Sequence, residues 1–388
     1  MPRAQGHEDA PAGAWGQVPQ APWGQAVVDA ALARLVDQVQ TARAANGHLR
    51  IVGGATKDFL GNALQGERLD VRPLAGISSY EPTELVVTAR AGTSVAELEA
   101  TLAERGQQLA FEPPRLGPSS TVGGMVAAGL SGPARAVAGS VRDHLLGATL
   151  LNGRGEVLSF GGQVMKNVAG YDVSRVLAGS LGILGVICEV SLKVLPAPTA
   201  SATLRFECDQ ASALKRLNAW GGEPLPLSAS ACWNDTLVLR LAGAAAAVQA
   251  AQARLGGEVV EPALAEAFWT GLRDHSDEFF VGAAKAVERG ASLWRLSLPQ
   301  TAPPLKLSGE HLIEWGGAQR WVCTTTPAAQ VREMASAAGG HATLFHGADK
   351  SAGVFAPLKP PLDRIHRQLK AAFDPDGVFN PGRLYPDL

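Results

Sequence analysis

The chain has 388 residues and a formal net charge of −2, from 34 Lys and Arg against 36 Asp and Glu. This length predicts roughly two to three domains with cores of their own, and the balanced charge without a long basic run argues against a nucleic-acid partner. Glycine is abundant at 44 residues, of which 23 lie between Gly47 and Gly185. Backbone geometry therefore matters most in this part of the chain.

Targeting and metal signals are absent from the sequence. The longest uncharged stretch, 116–134, contains too many Gly, Pro, Ser and Thr residues for a lipid-facing helix. The N-terminus matches neither a secretory signal nor a transit peptide, which predicts a cytoplasmic protein without a transmembrane segment. The four cysteines form no CxxC pair and no histidine stands at zinc-finger spacing, so we predict no metal and no iron–sulfur cluster in this chain.

Helices and strands are predicted to alternate in the first part of the chain. Residues 1–25, rich in Pro, Gly, Ala and Gln, predict a poorly ordered leader. Apolar residues at helical spacing over 28–39 predict an amphipathic helix, followed by a short buried strand at 49–52. Another strand is predicted at 85–87, before a helix over 94–106.

Capping and turn signals mark the elements that follow. Ser94 and Glu97 predict a capping box for the helix that ends near Gly106. The pair Asn152-Gly153 between two apolar runs predicts a hairpin. Alternating residues over 186–194 predict a half-buried strand, and the prolines after it mark a domain boundary.

Residues 200 to about 350 predict a second, α+β domain on an antiparallel sheet. Its predicted strands are 203–208, 236–241, 292–298 and 320–325, and its predicted helices are 211–220, 244–255 and 328–338. A helix at 362–373 and a turn-rich run, FDPDGVFNPGR, are predicted to end the chain.

Three glycine-rich regions carry the predicted chemistry. The turn Gly53-Gly54-Ala55-Thr56-Lys57 after a strand has the composition of an anion-binding turn, with an ordinary glycine turn as the alternative. The loop GPSSTVGGMVAAGLSG, from Gly117, would let a flat ligand lie against the main chain, with close packing of small residues as the alternative. The third region, KNVAGYDVSRVLAGSLGILGVI, starts at Lys166 and runs into the alternating strand.

In this order, the three regions and the C-terminal run resemble the FAD-binding oxidoreductases of the vanillyl-alcohol-oxidase (PCMH) type, and more narrowly the family of glycolate oxidase FAD-binding subunits. The resemblance covers roughly residues 27–388. It implies an α+β fold: a two-subdomain FAD-binding domain over 26–198, an inserted antiparallel α+β cap domain over 199–355, and a C-terminal return to the FAD-binding domain over 356–388.

The resemblance also implies which residues surround FAD. For Lys57 the alternative is a solvated surface lysine, and for Asp143 and Arg383 a local turn bond or a surface ion pair. The implied cofactor residues are Gly53, Gly54, Ala55, Thr56, Lys57, Pro118, Ser119, Thr121, Gly123, Gly124, Gly139, Ser140, Asp143, Gly182, Gly185, Ile187, Asn380 and Arg383. No His or Cys occurs between His48 and His144, which favours non-covalent FAD.

The oxidising site departs from the pattern of related hydroxyacid dehydrogenases. Gly-Ser-Leu-Gly-Ile-Leu-Gly stands where they carry an acid and a hydroxyl, and their His-rich cap motif is incomplete here. Oxidation of a 2-hydroxy acid needs a cation for the carboxylate and a base for the hydroxyl proton. His346, Arg320 and Tyr171 are the candidates for these roles, each with a structural role as the alternative.

The implied function is that of a glycolate oxidase subunit that relays electrons between a companion FAD-linked subunit, which oxidises the 2-hydroxy acid, and an iron–sulfur subunit. Two alternatives stay open. One is a self-sufficient FAD-dependent 2-hydroxyacid dehydrogenase, and the other is a non-catalytic subunit with a vestigial flavin pocket. Association of the complex with the inner face of the membrane also stays open.

Overall fold

Two large antiparallel sheets organise the computed structural model, which describes residues 29–162 and 172–388. One sheet has five strands, and the other has eight. Helices flank both sheets, so the predicted α+β class is confirmed. The predicted leader, residues 1–25, lies outside the described residues.

The first part of the chain builds the five-stranded sheet and two short strand pairs. Its first helix begins after Asp29, whose carboxylate accepts hydrogen bonds from the N–H groups of Ala31 and Leu32 and so caps the first turn. The elements are α1 (Ala30–Ala44), β1 (Leu49–Val52), β2 (Glu67–Asp70), β3 (Ile77–Glu81), β4 (Val86–Arg90), α2 (Val95–Ala103), β5 (Gln107–Gln108), α3 (Val122–Ala128), α4 (Arg135–Ala138), α5 (Val141–His144), β6 (Leu145–Leu151), β7 (Val157–Gly161), a 3₁₀ turn (Ser174–Leu177), β8 (Val186–Lys193) and β9 (Leu195–Pro196).

The strand order of the smaller sheet is β3-β4-β8-β6-β7. β6 and β7 form the predicted hairpin around Asn152-Gly153. β8 is more buried than predicted, because Ile187 and Ser191 on its second face are also buried, while Glu189 and Lys193 on that face stay partly exposed. Val190 packs into one apolar core and Cys188 into another.

The predicted capping box at α2 is also wrong. Ser94 is the residue before the helix, but its side chain makes no capping hydrogen bond. A neighbouring loop instead contacts the start of this helix. Ser94 forms an antiparallel bridge with Thr121, and the carbonyl of Ser120 accepts the first helical N–H, that of Val95, at 2.9 Å.

The second part of the chain builds the eight-stranded sheet, in the order β13-β10-β12-β11-β15-β16-β14-β17. Every pairing in it is antiparallel, as predicted. The elements are β10 (Ala200–Glu207), α6 (Gln210–Gly221), β11 (Leu227–Trp233), β12 (Thr236–Gly243), α7 (Ala245–Leu255), β13 (Glu258–Val259), α8 (Pro262–Asp274), α9 (Glu278–Glu288), β14 (Ser292–Ser297), β15 (Glu310–Glu314), a 3₁₀ turn (Trp315–Gly317), β16 (Gln319–Thr324), α10 (Ala328–Ala337), β17 (His341–His346) and, beyond the sheet, α11 (Leu362–Phe373).

Six of these elements, β11, β13, β15, β17, α8 and α9, were not predicted. β11 is built mostly from Ser and Ala, and β13 has only two residues, so neither carries a strong strand signal. α8 did carry a signal for the start of a helix, since Pro262 occupies its first turn.

The C-terminal segment returns to the first part of the chain and extends the edge of β1. Phe379 forms a parallel bridge with Leu49, and the N–H of Leu49 donates to the carbonyl of Val378 at 2.7 Å. A buried ion pair holds this segment: the Lys370 ammonium donates to Asp374 Oδ2 at 2.7 Å. Asp374 in turn accepts the N–H groups of Val378 and Phe379.

This ion pair generates a stability prediction. Asp374→Asn keeps an acceptor of the same shape but leaves the Lys370 ammonium without its counter-charge in a buried site. We expect it to lower the free energy of unfolding by about 3 to 5 kcal/mol, measured by urea unfolding at neutral pH. The double variant Lys370→Met/Asp374→Asn removes the charge and should recover much of the loss. A single variant that loses under about 1 kcal/mol would contradict the assignment.

Candidate functional site

The first glycine turn leaves β1 with its N–H groups free. Within 29–162 and 172–388, no residue accepts a hydrogen bond from the backbone N–H groups of residues 53–57. Ala55 adopts a left-handed conformation with φ of 58° and is exposed. Successive free N–H groups around a left-handed residue form an anion-binding concavity, so the turn fits the pyrophosphate of a dinucleotide.

The second loop lies directly against this turn. Ser119 Oγ donates to the carbonyl of Gly54 at 2.8 Å. A Cβ atom on Gly54 would lie 1.6 Å from the carbonyl oxygen of Ser119, and one on Gly53 would lie 2.4 Å from Thr121 Oγ1. Both glycines are therefore required by close approach of the two loops. Pro118 lies in the same loop.

The paired glycines of the second loop serve packing. The N–H of Gly123 donates to the carbonyl of Ala91 at 2.8 Å, and that of Gly124 to Thr121 Oγ1 at 3.3 Å. A Cβ atom on Gly123 would lie 2.6 Å from the Cβ of Ala91. The alternative of close packing therefore describes these two residues, whose N–H groups already have acceptors.

Asn380 joins the C-terminal segment to two of the predicted regions. Its Oδ1 accepts the N–H of Ile51 at 2.9 Å, just before the first turn. Its Nδ2 donates to the carbonyl of Leu181 at 2.7 Å. A Cβ atom on Gly182 would meet that same Nδ2 at 2.7 Å. We call this arrangement the cradle: residues 53–57, 118–121, 180–182 and Asn380.

Arg383 stands just outside the cradle. It is buried and donates to the carbonyl of Asp58 at 2.8 Å and to that of Asn62. The alternative of a surface ion pair is therefore wrong. Arg383 instead holds the backbone that follows the first turn.

Two predicted cofactor residues of the third region, Ile187 and Gly185, lie at the five-stranded sheet and outside the cradle. Ile187 pairs with Leu150 inside the sheet and its side chain packs in the core, so a contact of its backbone with the cofactor stays a prediction. Gly185 lies at the same sheet, where a Cβ atom would meet the carbonyl of Leu151 at 2.6 Å. Both residues are committed to strand packing.

The turn from Gly139 to Asp143 fits its local alternative. Asp143 Oδ2 accepts the N–H of Ser140 at 2.8 Å and its Oγ at 2.9 Å, which caps α5. The backbone hydrogen bond from Ser140 is the main cause that lowers the pKa of Asp143. Among the described residues, no hydrogen bond joins this turn to the cradle.

Lys57 braces the two loops with its ammonium group. Its Nζ donates to the carbonyl of Arg115 at 3.0 Å and to Ser120 Oγ at 2.9 Å. Burial lowers the pKa of Lys57 to about 8, against an opposing effect of Asp274. The alternative of a solvated surface lysine is therefore wrong. Only the backbone N–H of Lys57 is left for the anion.

The three candidate catalytic residues have different outcomes. Tyr171 lies outside the described residues. The assignment of Arg320 as a carboxylate-binding cation is wrong, because its buried guanidinium donates to the carbonyls of Ala302, Pro303 and Gly317. His346 stacks on Phe59, just past the first turn, with ring centroids 3.9 Å apart. Burial lowers its pKa.

Two residues beside the cradle were missed. His275 ends α8 and stacks on Phe280 with centroids 3.8 Å apart, and burial, with help from Arg295, lowers its pKa to about 3. Arg295 lies in β14, and burial lowers its pKa to about 10. The signal for Arg295 was a lone charge between Trp294 and Leu296 in a predicted strand.

No helix of the described ranges is long and apolar enough to cross a bilayer. The same ranges contain no group of three or more His, Cys, Asp or Glu residues arranged to hold a metal ion. The four cysteines are free.

Comparison with known proteins identifies an FAD binding domain in the first part of the chain. Residues 27–161 match the family model of the FAD binding domain. The fold resembles a solved alkyldihydroxyacetonephosphate synthase with a TM-score of 0.63 at 15% identity, over 90% of this chain and 74% of that one. Together these findings show an FAD-binding domain and a fold of the vanillyl-alcohol-oxidase type. The predicted fold class and FAD cofactor are confirmed.

Within that class, one relative matches nearly the whole chain. The glycolate oxidase subunit GlcE of Escherichia coli K12 is 48% identical over 91% of this chain and 97% of its own length. The chain therefore belongs to the GlcE family of glycolate oxidase subunits. A D-lactate dehydrogenase of Anaerostipes hadrus is 30% identical over 39% of this chain and 32% of its own length, and the GlcD subunit of Bacillus subtilis is 32% identical over 30% and 25%.

The lowered pKa of Lys57 predicts a pH dependence of stability. Between about pH 8 and its ordinary value of 10.5, the unfolded chain holds this proton more often than the folded chain. Lys57 therefore contributes an unfolding free energy that rises with pH across this window. Lys57→Met should lose that rise, so wild type should gain stability relative to the variant between pH 7.5 and pH 10.

Urea unfolding at both pH values measures this difference, in which the groups common to both proteins cancel. Lys285→Met, which changes an exposed lysine of α9, is the control and should follow wild type at each pH. If the gap between wild type and Lys57→Met stayed constant with pH, the account of Lys57 would be wrong.

Proposed function

We propose that the cradle holds FAD non-covalently, with the pyrophosphate against the N–H groups of residues 53–57. The observation that carries this proposal is that these N–H groups have no acceptor within the described residues, although the turn is fixed by Ser119, Thr121 and Asn380. Fixed backbone donors offset the charge of a pyrophosphate without a basic patch. Bound FAD would supply a hydride and electron acceptor.

The same contacts support a proposed division of the chain into two domains. We assign residues 26–198 and 356–388 to the FAD-binding domain and 199–355 to the cap domain. In support of this, Asn380 and Arg383 hydrogen-bond to backbone at both ends of the first turn, and the cap residues of the eight-stranded sheet pair with one another.

For the complete protein we propose a subunit of a glycolate oxidase complex, which oxidises glycolate to glyoxylate. In this proposal the chain relays electrons from a companion FAD-linked subunit, which carries the hydroxyacid-oxidising site, to an iron–sulfur subunit. The 48% identity to a glycolate oxidase subunit supports it. The role of Arg320 in the fold, rather than at a substrate, also favours a relay over a complete oxidising site.

A self-sufficient 2-hydroxyacid dehydrogenase is the second candidate. Cationic and imidazole side chains beside the cradle favour it, since Lys57 and Arg295 both lie close enough to His275 to lower its pKa. Glycolate distinguishes the two candidates. With the isolated chain, the relay proposal expects no bleaching of the flavin absorbance on anaerobic addition of glycolate, and the second candidate expects full bleaching.

Flavin content tests the cradle itself. The purified chain should carry about one FAD, released into the supernatant by acid precipitation, as a non-covalent cofactor requires. Gly54→Ala places a Cβ atom against the Ser119 carbonyl and displaces the loop, so it should lose at least tenfold in FAD affinity. Gly282→Ala is the matched control, because a Cβ atom there meets nothing within 4 Å, and it should retain FAD.

Three results would contradict this proposal. The first is no bound flavin at any FAD concentration, which would favour the non-catalytic alternative. The second is flavin that stays with the precipitated protein, which would indicate a covalent bond. The third is equal FAD affinity in Gly54→Ala and Gly282→Ala, measured by fluorescence titration, which would misplace the pyrophosphate.

A further inference from the structure

One face of the eight-stranded sheet packs against the loop that follows the cradle. We call it the cap face, defined by Leu293, Arg295, Trp321 and Phe345. Leu293, Trp321 and Phe345 share one buried cluster with Leu60. The ring of Phe345 also lies 5.2 Å from that of Phe59. The cap face therefore borders the cradle directly.

Besides the buried side chains of Glu314 and Gln319, which hydrogen-bond to each other, this face carries a cation, Arg295. It stands opposite Trp321 on one neighbouring strand and Thr343 on the other. Because directly opposed residues point to the same side of a sheet, the guanidinium projects from the cap face. Within the described part of the chain it has no hydrogen-bond acceptor, carboxylate or stacked ring as a partner.

The contrast with Arg320 makes this absence informative. Arg320 lies on the adjacent strand and is also surrounded by protein, but three backbone carbonyls accept its donors. An arginine whose five donors lack acceptors in a desolvated site destabilises a fold unless something else pairs with it. Arg295 is only half-buried, so part of its side chain stays accessible.

His275 is the second polar group at the cap face. Its ring stacks on Phe280 and lies 5.1 Å from Trp321 and 5.3 Å from Phe345, measured between ring centroids. No described residue forms a hydrogen bond with either ring nitrogen. Burial keeps the imidazole neutral, with one donor and one acceptor available.

The other cations nearby are already committed to the protein. The Lys57 ammonium braces the two loops of the cradle. The Lys350 ammonium donates to the carbonyls of Phe59 and Gly61 at 2.7 and 2.8 Å. Arg135 lies close enough to Arg295 to add to the positive potential, and its guanidinium stacks on Trp315.

We propose that the cap face is a carboxylate-binding site, in which Arg295 binds the carboxylate of a small 2-hydroxy or 2-oxo acid and His275 hydrogen-bonds to its neighbouring oxygen. A guanidinium matches a carboxylate with two parallel hydrogen bonds. The aromatic walls exclude water and strengthen that pairing. This proposal rests on the proposed function only in placing the acid beside FAD. It means that this subunit itself binds an acid of the class that the proposed complex oxidises.

Oxalate binding tests the site, because oxalate presents carboxylates and has no hydroxyl to oxidise. The FAD-loaded chain should bind oxalate saturably in isothermal titration calorimetry. Bound oxalate should also perturb the absorbance spectrum of the flavin. Arg295→Met should bind oxalate at least tenfold more weakly than wild type. The oxalate affinity of Arg295→Lys should lie between those of wild type and Arg295→Met, because lysine keeps the charge but lacks the planar guanidinium group. Arg289→Met, which removes an exposed arginine after α9, should bind like wild type.

Thermal unfolding separates a binding role from a structural one. Since Arg295 has no protein partner among the described residues, Arg295→Met should melt at or above the wild-type temperature in the absence of oxalate. Oxalate should raise the melting temperature of wild type and leave that of Arg295→Met unchanged. A structural arginine would show the reverse, a lower melting temperature with unchanged oxalate affinity.

The proposal is overturned if wild type binds no oxalate, or if Arg295→Met binds it as tightly as wild type. If Arg295→Met does not fold, Arg295→Lys decides, and wild-type affinity in that variant would also overturn the site. Failure of the proposed function looks different: a chain that retains no FAD can still bind oxalate by calorimetry. A chain that retains FAD and binds no oxalate refutes this site alone.

Discussion

The contact between the backbone of Gly54 and that of Ser119 is the constraint on which the cradle depends. A Cβ atom at Gly54 would lie 1.6 Å from the Ser119 carbonyl oxygen, so the two loops meet with no side chain between them. This contact orients the first turn while its N–H groups stay free. Lys57 reinforces it from the other side, through Arg115 and Ser120, at the expense of a partly desolvated ammonium.

The C-terminal segment turns this local contact into a rigid site. Asn380 hydrogen-bonds to Ile51 on one side and to Leu181 on the other, which are far apart in sequence. Its own position depends on the buried pair of Lys370 and Asp374, because Asp374 holds the N–H groups of the segment just before Asn380. The site therefore needs the end of the chain as much as the glycine loops, and rigid support of this kind is what cofactor binding requires.

Local patterns predicted the parts of the fold whose signals are local. The hairpin at Asn152-Gly153 and the first glycine turn were both predicted from residue types that favour these particular backbone conformations. The burial of the Ile187 side chain could not be predicted from the local sequence, because it depends on which strands flank β8, a long-range property. The bridge that Ser94 forms with Thr121, in a loop about 27 residues further along the chain, could not be predicted for the same reason.

The binding residues of the cap could not be distinguished in the sequence, because an arginine in a strand looks the same whether or not it has a partner. Arg320 and Arg295 occupy adjacent strands, yet three carbonyls accept the donors of the first, while the second stands opposite Trp321 with no such acceptor among the described residues. What separates them is the side of the sheet: Arg320 faces the backbone of residues 302–317, while Arg295 faces the surface that borders the cradle. Because three backbone carbonyls accept the donors of Arg320, this sheet can provide acceptors for an arginine. A shortage of acceptors therefore does not explain why Arg295 is unpaired among the described residues. The position of the unpaired charge, beside the cofactor cradle, is therefore what links the cap to the chemistry of the complex.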